Sequence, residues 1–363
     1  MGLLWIIIGI IIVILMITIP VVISKKETAD ITKLSTVTTK TTKMTTHELT
    51  TTVANPTTQV QSKPKYKKWK QHGITIAGGN GGGDQLNQLF FPSAISIDDK
   101  KAIVIVDYHN HRIVEWKYKS NNGEVIVGVN EEGNSLNRLV NPIDVVLDKE
   151  KNAIIICDTG NKRVVRLFRQ SQTNPQILIS NISCNGVAID KDGSVYVSDW
   201  MRLDVRRWKE GDTDGTLIAG GNGQGSHLNQ FNYPGSVFVD EDYSVYISDQ
   251  QNHRIMKWKK DAQEGIIVAG GNGRGDHLNQ LVQPYAVIID NLDQMIIADC
   301  GNHRVMSWRE GDINGSIVIG VNGYGDESNR LNSPKDVSFD VDGNLYVADT
   351  FNSRIQKYEL CPE

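Results

Sequence analysis

Cysteine is scarce in this 363-residue chain, with Cys157, Cys184, Cys300 and Cys361 all far apart. That spacing excludes a cysteine-based zinc finger. The even count admits two disulfides in an oxidising compartment, and buried free thiols fit equally well. The chain also lacks a phosphate-loop lysine, a His-Glu-x-x-His pair and a nucleophile elbow, so the familiar signatures of nucleotide and hydrolase chemistry are missing. Residues 73–363 lack an excess of positive charge: 28 basic side chains face 39 acidic ones, a net of -11. A body of that sign repels phosphate backbones and argues against nucleic acid as a partner.

What is present divides into three segments. Residues 1–24 contain the uncharged run "LLWIIIGIIIVILMITIPVVI" over 3–23, which at helical rise would span roughly 30 Å, the thickness of a bilayer core. It reads as a transmembrane signal-anchor, hence a single-pass membrane protein. A cleaved signal peptide fits less well, because no Lys or Arg precedes the run and no small-residue cleavage site follows it. Gly2 does not open a myristoylation motif, because Ile6 stands where Ser or Thr is needed.

Residues 25–72 are rich in Lys and Thr, and 14 of the 31 residues from Thr28 to Thr58 are Thr. Such a segment has too little apolar surface to pack and reads as a disordered, O-glycosylated stalk. Lys25 and Lys26 after the span would favour a cytoplasmic body. The stalk and the glycosylation acceptors Asn181 and Asn314, each in an Asn-x-Ser triplet, favour an extracellular or luminal one. The second orientation is the one expected.

Residues 73–363 are a repeat array. "VDYHNHRIVEW" (106–116) recurs as "CDTGNKRVVRL", "SDWMRLDVRRW", "SDQQNHRIMKW", "ADCGNHRVMSW" and "ADTFNSRIQKY", with the Asp at 107, 158, 199, 249, 299 and 349. The period is about 50, with one interval of 41. Short apolar runs at that period mean propeller blades. Each unit offers four runs, and the second, such as "AIIIC" or "MIIA", is continuously apolar, as expected of a strand buried on both faces. Six copies give six blades of four strands. The array begins with a fourth-strand run, "GITIAGG", and ends on a third, so the N-terminal strand is expected to close the last blade.

The Asp-x-x-Asn-His-Arg pattern, carried by Asn110-His111-Arg112, Asn161-Lys162-Arg163, Asn252-His253-Arg254, Asn302-His303-Arg304 and Asn352-Ser353-Arg354 with Pro-x-x-Val upstream, resembles the NHL repeat. The resemblance covers all six units and implies an all-β, six-bladed β-propeller. Similar propellers serve as protein- or RNA-binding modules, as sensor domains and as amidating lyases, so fold alone assigns no chemistry.

Within each unit the Asp ends the second strand, Asn three positions on suits a left-handed turn, and Arg starts the third strand across the hairpin. Asp107–Arg112, Asp158–Arg163, Asp249–Arg254, Asp299–Arg304 and Asp349–Arg354 therefore read as structural ion pairs. Blade three departs, with Arg202-Leu203-Asp204. Such an exception marks either drift or a site.

Hairpin tips and blade-to-blade connectors must share one face, where longer loops carry function. The candidate binding residues on that face are Tyr108, His109, Trp200, Met201, Gln250, Tyr285 and Phe351. Asp144, Lys335 and Asp336 lie where the chain enters its blades. The function expected is a binding module for a protein or small ligand, with no cofactor or metal and no catalytic residue assigned. The alternative is an amidating-lyase-like or hydrolase-like enzyme. His111, His253 and His303 could then hold a metal, although Lys162, Leu203 and Ser353 occupy the same repeat position. Finally, "AGGNGRGDHLNQL" (269–281) contains Arg274-Gly275-Asp276 but is one of five copies of the connector. It reads as architecture rather than as a ligand motif.

Overall fold

The computed structural model describes residues 66–128, 133, 135–169 and 175–362. All of them belong to the unit spanning 62–363. The expected membrane span at 3–23 and the stalk up to residue 65 lie outside the described residues. Among those described, no helix is long and apolar enough to cross a membrane.

Six four-stranded antiparallel sheets are arranged as the blades of a propeller. Blade one runs outward from Pro92–Ile97 through Ile103–Asp107 and Arg112–Trp116 to Glu124–Val127. The innermost strands of blades two to six are Pro142–Asp148, Cys184–Ile189, Pro234–Val239, Pro284–Ile289 and Pro334–Phe339. The outermost strand of blade six is Ile74–Gly78, which pairs antiparallel with Arg354–Tyr358. The N-terminal strand thus closes the ring and covers the edge that Arg354–Tyr358 would otherwise present.

The continuous apolar runs have their expected place. Every residue of the second strands Ile103–Asp107, Ala153–Asp158, Val195–Asp199, Val245–Asp249, Met295–Asp299 and Leu345–Asp349 is buried. The core lies between blades rather than within them. Ile105, Val114 and Trp116 of blade one, for example, pack with Tyr346, Ala348 and Ile355 of blade six. Trp258 closes the far end of its blade, and Gly265 lies flat on the indole: a methyl group at that glycine would meet the ring at 2.5 Å.

Among the described residues, 66–72, placed within the stalk by sequence, pack against the propeller. Trp69 is buried, stacks on Phe339 and donates its indole N–H to Gly343 O. Gln71 donates to Val318 O, and Tyr66 donates to Asp312. An indole and a phenol among the lysines supply the apolar area that the Thr-rich segment lacks. These contacts lie on the face of the first-to-second and third-to-fourth turns, so the chain enters the propeller opposite the hairpin tips.

The hairpin motif does more than pair charges. Asp107 Oδ2 accepts from Arg112 Nε at 2.7 Å and from Asn110 Nδ2 at 2.8 Å, while Oδ1 accepts from Phe90 N. The rest of the Arg112 guanidinium donates to Asp84 O, Gln85 O and Gln88 O in the connector that precedes the blade. Arg254, Arg304 and Arg354 bind their own preceding connectors in the same pattern. The Asp–Arg distances of the five motifs are all 2.7–2.8 Å.

The left-handed residue is not the Asn. It is the next one, with φ of 52° at His111, 52° at Lys162, 55° at His253, 55° at His303 and 51° at Ser353. Asn110 lies in a short 3-10 turn, and its amide is needed for the Asp and for Gly83 O. A side chain committed to two acceptors outweighs the ordinary preference of Asn for left-handed backbone.

Blade three follows from the same logic. The preceding connector is only residues 181–183, between Gln176–Ser180 and Cys184–Ile189. Elsewhere Asn and Arg hold a glycine-rich connector, and the short one here lacks the carbonyls that this pair binds in the other blades. Asp199 turns instead to the N–H groups of Met201, Arg202 and Ser183, and Asp204 pairs with Arg206 at 2.7 Å. Cys157 and Cys184 form a disulfide across this junction.

Candidate binding site at the channel mouth

The innermost strands present unpaired backbone groups to the central channel, and side chains from neighbouring blades satisfy them. Thr159, Ser198, Ser248 and Thr350 donate to Cys184 O, Gly235 O, Tyr285 O and Pro92 O on the next blade. Two carboxylates do the converse. Asp144 accepts from Val145 N and Val187 N, and Asp336 accepts from Val337 N and Ile95 N. Each therefore clasps its own innermost strand to the next one. Burial raises Asp144 to about 6. Burial, and then the charge of Asp144, lift Asp336 well above the usual carboxylate range. All four carboxylate oxygens are occupied by backbone N–H groups, which makes these residues fasteners.

Above them is a mouth lined by aromatic rings. Phe351, half exposed, meets Phe91 edge-on at 4.8 Å between centroids, and Phe91 meets His109 at 4.7 Å. His109 abuts Tyr108 at 5.0 Å. The Lys335 ammonium sits over the Tyr108 ring at 5.6 Å and over Tyr285 at 4.9 Å. The result is one continuous strip across blades five, six and one. Trp200 and Tyr233 meet at a tilt, 5.5 Å between centroids, on blades three and four.

The electrostatics follow from enclosure. Burial raises Tyr108 and Tyr233, and it pushes Tyr285 well above the usual phenol range, with Tyr233, Cys300 and Tyr108 close by. Burial drives the Cys300 thiol up to about 11. It lowers His109, helped by Lys335, and it lowers Lys335 itself. In each case enclosure favours the neutral form of the group.

Of the sequence candidates, Tyr108, His109, Tyr285 and Phe351 come together in the strip. Trp200 joins Tyr233 instead. Met201 is exposed, and Gln250 is only 5% exposed, beneath the surface of the mouth, where its Nε2 lacks a hydrogen-bond partner. Sequence reasoning missed Phe91 and Tyr233. Both directly precede the proline that opens an innermost strand, and both have positive φ, 57° and 69°. That register position recurs in the repeat and was the available signal.

The three repeat histidines lie apart on blades one, four and five. Nδ1 of His111, His253 and His303 accepts the backbone N–H of Asn141, Gln283 and Ser333 in the following connector at 3.0–3.1 Å. They serve as turn residues that tie one blade to the next. Among the described residues no three His, Cys, Asp or Glu side chains converge as a metal-binding group. In the Arg274-Gly275-Asp276 stretch, Gly275 O and Asp276 O accept from Asn302 and Arg304, so its backbone is part of the connector lock.

The sequence profile of the NHL repeat matches residues 331–358. No curated protein matches the chain by sequence. Solved structures share the fold. One is a Bacteroides thetaiotaomicron protein of unknown function (17% identity over 80% of this chain and 76% of the other, TM-score 0.64). A second is an auxiliary nutrient binding protein of the same organism (17%, 81% and 77%, TM-score 0.63). A third is virginiamycin B lyase from Staphylococcus aureus (12%, 77% and 98%, TM-score 0.52).

Proposed function

We propose that this six-bladed NHL-repeat propeller is a binding module that takes a ligand at the channel mouth, and that it is displayed outside the cytoplasm by a membrane anchor at residues 3–23. The observation that carries the reading is the strip from Phe351 through Phe91, His109 and Tyr108 to Lys335 and Tyr285. Apolar faces with a few convergent polar groups are the common form of a small-ligand site. A nutrient-binding protein of the same fold is in keeping with it.

Two features support the orientation. The Cys157–Cys184 disulfide suits an oxidising compartment, and Asn181 and Asn314 are exposed in the described structure.

A thermal-shift screen of a metabolite collection tests the site. Compounds that bind the mouth raise the melting temperature of the full chain and not that of a Phe91→Ala/Phe351→Ala variant. Hits that shift both equally would sink the reading. Orientation is tested by glycosidase treatment of cell-expressed protein, and an unchanged gel mobility counts against a luminal or extracellular body.

A further inference from the structure

We propose that Lys335 anchors a subsite for a small monocarboxylate with a flat apolar body; this rests on the mouth being a binding site. Lys335 is the second residue of its innermost strand. The same position holds Ser93, Ile143, Asn185, Gly235 and Tyr285 in the other blades, so fold register does not call for a cation there. Lys335 is also unlike the other enclosed cations. Arg112, Arg254, Arg304 and Arg354 each have a carboxylate within 2.8 Å. Among the described residues Lys335 Nζ has no ion pair and no hydrogen-bond acceptor. Its neighbours are the faces of Tyr108 and Tyr285, His109 and the Cys300 thiol.

Ring faces offset only part of the cost of taking an ammonium out of water. An acceptor arriving from outside supplies what the protein does not. Burial keeps the phenols of Tyr108 and Tyr285 uncharged, so an incoming anion meets the ammonium beside two neutral rings. One cation suits one negative charge, whereas a dianionic phosphate calls for several cationic donors. The rings of His109, Phe91 and Phe351 continue from Lys335 outward, which gives the body of the ligand an apolar wall.

The test uses the full chain at neutral pH with sodium benzoate as probe, titrated by calorimetry, and with benzamide and benzylammonium as the neutral and cationic comparisons. Benzoate is expected to bind at one site. Lys335→Gln should weaken it about tenfold or more, the value of a hydrogen bond to a charged group, while Lys335→Arg retains it. Benzamide should bind wild type at least about tenfold more weakly than benzoate by the same reasoning, and benzylammonium should not bind. Lys335→Gln removes an unpaired charge, so its melting temperature should match or exceed wild type, and a folded variant is available for comparison. The proposal is overturned if benzoate does not bind, if benzamide binds as tightly, or if Lys335→Gln binds benzoate unchanged. If benzoate fails while other compounds still depend on Phe91 and Phe351, the carboxylate subsite falls and the binding module stands. If no compound depends on them, both fall.

Discussion

Cys157 and Cys184 are joined across the one blade junction that lacks a glycine-rich connector. At each of the other described motifs a guanidinium holds the connector to the hairpin. At this junction the chain passes from Ser180 to Cys184 with no glycine-rich loop for a guanidinium to lock, and a covalent link joins the two blades. The two cysteines are 27 residues apart, for which loop-closure entropy gives about 3–4 kcal/mol. A Cys157→Ser/Cys184→Ser variant should therefore melt well below wild type. Wild type in reducing agent should approach the variant, whereas Cys300→Ser/Cys361→Ser should change little. Melting curves with and without reductant check this, and coincident curves for all four samples would refute it.

The guanidinium locks make a second, position-specific expectation. Arg304 is buried against Asp299 and also binds three connector carbonyls. Arg304→Ala leaves a buried carboxylate without its counter-charge and should cost about 3–5 kcal/mol. It should also free the backbone around 276–280, which hydrogen exchange would report as lost protection. In blade three the corresponding Asp204 binds no connector. Asp204→Arg should therefore restore no stability, although it restores the repeat pattern. A rise in melting temperature for that variant would mean that the arginine stabilises a hairpin without a connector to hold.

The fold was legible because its signals are redundant. Six copies of one motif fixed blade number, strand order and ring closure, and the buried second strands appear as unbroken apolar runs. The role of His111, His253 and His303 was less visible. Their left-handed backbone and bond to the next connector join residues 30 apart in sequence, and no local preference encodes that. The candidate strip was legible only in part. Tyr108, Tyr285 and Phe351 could be placed on one face by strand order. That Lys335 lies between two phenols, and that Gln250 turns inward, depends on how innermost strands from different blades meet at the axis. A repeat register gives the height of a residue in its blade and not its neighbour across the channel.

Ring closure can be weighed against anchoring by the segment before it. Deleting 73–78 removes the strand paired with Arg354–Tyr358, Ala77 included, and exposes its core neighbours such as Leu89 and Ile355. A sharp fall in melting temperature is expected. Trp69→Ala should cost less than that, about 3–5 kcal/mol for a buried Trp, because the strand itself remains. Equal melts for the deletion and wild type would overturn the closure model, and an unaffected Trp69→Ala would show that residues 66–72 contribute no packing energy.

The repeat histidines set a pH dependence. Burial lowers His253 and His303 from their ordinary value, and both must be neutral at Nδ1 to accept the connector N–H. The folded state therefore binds fewer protons at these sites than the unfolded chain. Their contribution is fully present above the unfolded value of about 6.5 and is lost as pH falls through the lower folded values. Asp144, raised to about 6, and Asp336 act in the opposite sense: their contribution is largest in acid and declines as pH rises through their folded values. Wild type alone mixes the two effects, and a variant separates them. His253→Gln/His303→Gln should be less stable than wild type at pH 8, because two connector bonds are weakened. The gap should narrow on acidification below about 6.5, where the wild-type histidines lose the same bonds. Denaturant melts of both proteins between those limits read the gap directly, and a gap that stays constant or widens in acid would rule out the neutral Nδ1 acceptor.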